Sequence, residues 1–206
     1  MPDGRGRDGH MSDEGVLDGD EGVLDGQVSE RAAVSQVRGL RVITLDSLVP
    51  GSVHGQVSTA QLDWLRSVLA TPAPDGSVVV LHHPPISLSA PTMQAMVLQN
   101  PDELGQVIAG SDVRVVLCGH LHAQLSGFLY GVPVWSTTGI VTRLDLTAPG
   151  HLVRAVHGSG ASVIDLGGPF SPLFHTLHAR DPRAGELVYL ADGSAWEEVE
   201  GEEPVV

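Results

Sequence analysis

Four histidines close two apolar runs. Residues 77–81 (SVVVL) lead into His82, His83, Pro84 and Pro85, and residues 113–118 (VRVVLC) pass through Gly119 into His120, Leu121 and His122. Imidazole is a neutral nitrogen donor suited to first-row divalent metals, and protein metal sites gather their ligands from separate stretches of chain. A single histidine is as readily a structural hydrogen-bonding group. Four of them at the ends of two strands point to a shared metal site, with ligands delivered from a rigid platform into a crevice at the carboxyl edge of a sheet.

The elements that must deliver them follow from pattern. Val113, Val115, Val116 and Leu117 are strand formers, and Gly119 releases the backbone into a turn. Residues 40–46 (LRVITLD) read as an earlier strand broken by Pro50 and Gly51. Ser58 or Thr59 caps a helix to about Leu69, with Leu62, Leu65 and Leu69 at helical spacing and Trp64 beside them. Pro72, Pro74 and Gly76 stop that helix before the strand at 77–81, so the order is β, α, β, as in a layered sheet with covering helices. Further helices are expected near 92–98 and 102–108, and a helical lead-in over 30–37. A hairpin about Gly131 and strand-like runs at 139–146, 151–156 and 161–166 predict a second, antiparallel-rich sheet packed on the first. Residues 169–182 read as irregular, with His175 and His178 on the surface, and 186–190 with 195–199 as a terminal hairpin about Asp192 and Gly193.

VVVLHHPPI at 78–86 and VVLCGHLH at 115–122 resemble the calcineurin-like metallophosphoesterases, in particular the class III cyclic nucleotide phosphodiesterase branch. Residues 42–69 and GVPVWSTTGI at 131–140 resemble the flanking segments of that branch. The resemblance implies an α/β fold, a layered α-β-β-α sandwich lacking its amino-terminal βα units. It also implies a metal-dependent phosphoesterase acting on phosphodiesters such as cyclic nucleotides. The cofactors it implies are divalent ions of Mn, Fe or Zn, two in the family and one or none here. Paired cations neutralise phosphoryl charge and lower the pKa of water, which supplies a nucleophile near neutral pH. By the same resemblance His82 and His120 bind the second metal and His122 the first, while His83 stands behind the ligands or faces substrate.

The pattern also departs from the family. The DxH, GDxxD and GNHD or GNHE motifs that precede the histidine strand are not found; Asp8, Gly9 and His10 spell DxH, but no apolar strand leads into them. Three imidazoles can hold one zinc-like ion, yet lack the bridging carboxylate that keeps two cations together. The expectation is therefore a chain carrying the histidine half of a dinuclear site. The alternative is a truncated, inactive remnant or a subunit that binds metal or a partner.

Composition bounds the rest. With 25 acidic residues against 11 basic ones, all arginine, the net charge is −14, and there is no clustered basic footprint for nucleic acid or an anionic membrane. Cys118 is the sole cysteine and reads as a small buried hydrophobe. No apolar run is long enough to span a membrane and no signal-peptide pattern opens the sequence, so a cytoplasmic protein is expected. Residues 1–36 read as an acidic, low-complexity, disordered leader in which DEGVLDG occurs twice. Residues 37–168 read as a partial metallophosphoesterase domain and 169–206 as a carboxyl-terminal extension. Strands left without neighbours would expose edges and apolar faces, so a homo-oligomer or a covering partner is expected.

Overall fold

The computed structural model describes residues 31–192. The DEGVLDG repeat, the Asp8–His10 triplet and the expected strand at 195–199 lie outside them. Six strands form the main sheet: β1 (Ala33–Val37), β2 (Leu40–Thr44), β3 (Ser77–Val80), β4 (Val113–Cys118), β5 (Leu125–Leu129) and β6 (Val132–Ser136). Their order across the sheet is β1-β2-β3-β4-β6-β5. β2, β3, β4 and β6 run parallel, whereas β1 and β5 run antiparallel to their neighbours. Inner parallel strands are covered on both faces, which is why β3 and β4 are almost continuous runs of valine and leucine.

One face is covered by α1 (Thr59–Leu69) and α3 (Pro101–Ile108); α2 (Pro91–Gln94) is a single turn. Leu62, Leu65 and Leu69 of α1, with Leu104 and Ile108 of α3, pack against Ile43, Val79, Val116 and Val134. Each such side chain contributes about 1.5–3 kcal/mol by leaving water. Ser58 caps α1 by accepting the Gln61 backbone N–H at 3.2 Å. At the other end Arg41, only 7% exposed, donates to Val68 O and Thr71 O at 2.5 Å each, tying the last turn of α1 to β2.

Side chains alternate along a strand, so Trp135 of β6 points away from the helices that Val132 and Val134 face. Five further strands follow in the chain, β7 (Thr142–Leu144), β8 (Leu152–His157), β9 (Gly160–Asp165), β10 (Leu173–His178) and β11 (Leu187–Asp192), and Trp135 meets β9 and β10. These form a two-stranded sheet, β10-β9, and a three-stranded one, β11-β8-β7. The Trp135 ring stacks on Phe174 of β10 at 4.8 Å, and its Nε1 donates to Ser162 of β9 at 2.9 Å. The architecture is mixed α/β, built on a six-stranded mixed sheet. Among the described residues no helix is long and apolar enough to cross a membrane.

Three elements differ from the sequence reading. The helical lead-in over 30–37 is instead strand β1, which folds back on β2 through the two-residue turn Arg38–Gly39. The helix expected at 92–98 is only α2, and the chain from Met96 to Leu98 is buried, Met96 and Val97 in a small second core with Leu121 and Ala123. The stretch 169–182, expected to be irregular, contains β10, on which His175 and His178 are exposed. β11, within the first arm of the expected terminal hairpin, pairs with β8, and the second arm lies outside the described residues.

Candidate metal centre

The ladder between β3 and β4 continues past the strand ends. Leu81 N–H donates to Leu117 O at 3.1 Å, and Gly119 N–H donates to His82 O at 3.0 Å. His82 and His120 are thereby fixed side by side. Leu121 N–H donates back to Gly119 O at 2.8 Å, closing a three-residue turn with His120 at its centre, at φ 64°. His122 follows with φ 50°. Left-handed backbone at a residue bearing a Cβ costs about 1–3 kcal/mol and persists where the surroundings impose it, often at functional sites.

The rings meet at short range. His120 Nδ1 lies 2.9 Å from His82 Nε2, and His120 Nε2 lies 2.9 Å from the Val53 carbonyl. A carbonyl only accepts, so His120 carries its proton on Nε2. In the neutral ring Nδ1 is then the acceptor, and His82 Nε2–H donates to it. His83 is 2% exposed and lies beneath the other two, with ring centroids 5.0 Å from His82 and 4.3 Å from His120. Its Nδ1 is 2.9 Å from Ser47 Oγ, which also accepts the His83 backbone N–H at 3.2 Å. One ligand atom from each of His82, His83 and His120 lies within 4.8 Å of the others.

The loop behind the rings leaves no slack. A Cβ on Gly55 would sit 2.3 Å from the His83 ring. Gly55 is itself pinned, its N–H donating to Val97 O at 3.2 Å and its carbonyl accepting Gln99 N–H at 2.8 Å. Pro84 and Pro85 are buried, and Pro84 O accepts Leu98 N–H at 3.1 Å.

Electrostatics keep the rings neutral. Burial pushes His83 down to about 4, with the neighbouring His120, His82 and His54 adding to the effect and a bond to the Ser47 backbone opposing it. Burial also lowers His82, helped by His122. His120 is lowered by burial and then by His82, against the bond to Val53. Neutral imidazole is the form that binds metal.

His122, expected as a ligand of another metal, stands outside this group. It is exposed, its Nδ1 lies 2.7 Å from Thr142 Oγ1, and a Cβ on Gly139 would approach its ring to 2.8 Å. His83, expected behind the ligands or facing substrate, lies in ring contact with His82 and His120. Sequence reasoning misses Ser47, the Val53 carbonyl, Gly55 and Thr142. A signal for Gly55 does exist, since a glycine directly after His54 in a loop marks close backbone approach. The donor set suits a first-row divalent ion, and the group holds no carboxylate that could bridge a second one.

No family model matches the chain. Among curated proteins it is 50% identical over 113 residues to a probable cyclic nucleotide phosphodiesterase of Rhodococcus erythropolis, covering 55% of this chain and 38% of that protein. It is 40% identical over 126 residues to a cAMP/cGMP dual specificity phosphodiesterase of Mycobacterium tuberculosis, covering 61% and 40%. The chain is homologous to the class III cyclic nucleotide phosphodiesterases. A 3′,5′-cyclic adenosine monophosphate phosphodiesterase of Escherichia coli aligns with this chain at 31% identity over 130 residues, covering 58% of this chain and 47% of that protein. The chain thus spans less than half the length of these class III relatives. A solved Staphylococcus aureus structure in complex with alpha-ketoglutarate aligns with 66% of this chain and 28% of its own at 14% identity and a TM-score of 0.32, too loosely to carry an argument.

Proposed function

We propose that the chain supplies the imidazole side of a metal-dependent phosphodiesterase site, acting on phosphodiesters such as cyclic nucleotides within a metallophosphoesterase-type sandwich. The observation that supports this reading is the meeting of His82 and His120 at the ends of adjacent parallel strands, in a chain homologous to cyclic nucleotide phosphodiesterases. When bound there, a divalent ion supplies Lewis acidity that draws charge from phosphoryl oxygens and makes hydroxide available near neutral pH. His82 and His120 would hold it, and the burial that lowers both pKa values favours the neutral rings that bind metal. The Val53 carbonyl orients His120 by taking its outer N–H, and the buried Pro84–Pro85 segment fixes the point at which His82 emerges. A two-ion form of the site requires a bridging carboxylate from outside this group.

The full chain, loaded with Mn2+ or Zn2+, is expected to release nitrophenol from bis(p-nitrophenyl) phosphate and to open 3′,5′-cyclic AMP. His120→Ala should remove at least about 100-fold of that rate, the scale of losing a ligand or its support. No metal-stimulated release by the pure chain would defeat the reading. A second reading, a subunit that binds metal or a partner without turnover, is favoured by the carboxylate-free histidine group. It predicts that metal raises the melting temperature while phosphodiester hydrolysis stays at background.

A further inference from the structure

We infer that the chain holds a single divalent ion in a neutral three-imidazole site made by His82, His83 and His120, with His122 outside it. The inference rests on the metal dependence proposed above but departs from the two-ion arrangement that the resemblance implies.

Three observations carry it. The first is convergence: one nitrogen from each ring lies within 4.8 Å of the others, and His82 Nε2 and His120 Nδ1 are already 2.9 Å apart. A tetrahedral zinc with bonds of about 2.0–2.1 Å needs nitrogens about 3.3 Å apart, so small side-chain rotations would complete the set. The second is outer anchoring. His120 gives its outer nitrogen to the Val53 carbonyl, and His83 has its Nδ1 taken by Ser47, which leaves Nε2 as the nitrogen His83 can offer. Metal-bound imidazoles characteristically have the far nitrogen tied in this way, which fixes the tautomer and the ring plane.

The third is charge. Three imidazoles in mutual contact, one of them buried, have no carboxylate of the described residues in their group. Among the described residues, the group offers nothing to hold a second cation beside the first. His122 is turned to Thr142 and confined by Gly139. An uncharged nitrogen set also selects among ions. It favours Zn2+, Co2+, Ni2+ or Cu2+ and disfavours Mg2+ and Ca2+, which seek oxygen. His82 is exposed, so the fourth position opens to solvent and can take water or an anion.

The test uses the full 206-residue chain, stripped with chelator and titrated with Zn2+, Co2+ or Mg2+ alone. One Zn2+ per chain is expected by calorimetry and by elemental analysis after dialysis, with tetrahedral Co2+ absorption bands and no binding of Mg2+. In ring-nitrogen NMR, Zn2+ should shift His82, His83 and His120 and leave His122 in place; this needs no variant, so a folding defect cannot obscure it. Ser47→Ala should weaken Zn2+ about 10- to 100-fold, the usual effect of removing an outer partner. Two ions per chain, an unshifted His83 ring or a Zn2+-shifted His122 ring would overturn the inference. One bound ion without phosphodiester hydrolysis would sink the enzymatic reading and leave this one standing, while hydrolysis with two bound ions would do the reverse.

Discussion

Gly55 touches the imidazole group without contributing an atom to it. A methyl there would lie 2.3 Å from the His83 ring, and neither side can yield, because Gly55 is bonded to Val97 and Gln99 and His83 to Ser47. Gly55→Ala should therefore cost about 1–3 kcal/mol, the scale of overpacking, and weaken Zn2+ binding together with the fall in melting temperature. A thermal melt with and without Zn2+ checks both. Cys118 presents the opposite case. It is 7% exposed, its Sγ–H donates to Trp135 O at 3.4 Å, and burial pushes its thiol up to about 12, against a smaller lowering from Ser136. A thiol that holds its proton more tightly offers less thiolate at any given pH. At pH 8 the native chain should react with a thiol reagent at least about 10-fold more slowly than the unfolded chain, because the thiolate is the nucleophile and its population falls faster than its intrinsic nucleophilicity rises. Fast labelling of the folded protein would contradict this. At this scale the neighbourhood of His82 and His120 is legible in the sequence, whereas the directions of the His83 and His122 rings are not. Strand alternation predicts side-chain direction only while the pleat lasts. It ends at Leu81 and Cys118, beyond which prolines on one side and left-handed backbone at His120 and His122 on the other decide where each ring points.

Elements are legible where burial and periodicity agree. β3, β4, α1 and α3 can be read because valine runs and leucine spacing are dictated by a sheet face and a helix stripe. β1 and β10 cannot. Ala33–Val37 is too short and too polar to show a period, and takes its form from pairing with β2; Leu173–His178 alternates only against β9 and follows two prolines that suggest a loop. Arg41 joins two elements that lie apart in the chain. It sits on β2 and satisfies the carbonyls of Val68 and Thr71 at the end of α1. Arg41→Leu keeps bulk but orphans those carbonyls, with an expected loss of about 2–4 kcal/mol by denaturant unfolding. Arg41→Lys should recover only part, since one ammonium cannot reproduce the guanidinium fork. Full stability in Arg41→Leu would show that water serves those carbonyls equally well.

At the scale of the molecule, the antiparallel strands leave apolar side chains in solvent. Leu187, Val188, Tyr189 and Leu190 are all exposed on β11, where the register shift lets both faces show, and Leu173, Leu177 and Val163 are exposed on β10 and β9. Surfaces of this kind favour association. Light scattering behind size exclusion should give a mass that rises with concentration, and Leu187→Lys with Leu190→Lys should shift the mass toward the monomer. A constant monomer mass in the parent chain would refute the expectation. The other side of the sheet behaves differently, because β1 already occupies the flank of β2 through five paired residues. A newcomer strand approaching from that direction finds the seat taken. Docking directly on β2 would be an exchange, in which the Ala33–Val37 segment must first peel away, and its speed would be set by how often that hairpin opens and not by how often the newcomer arrives.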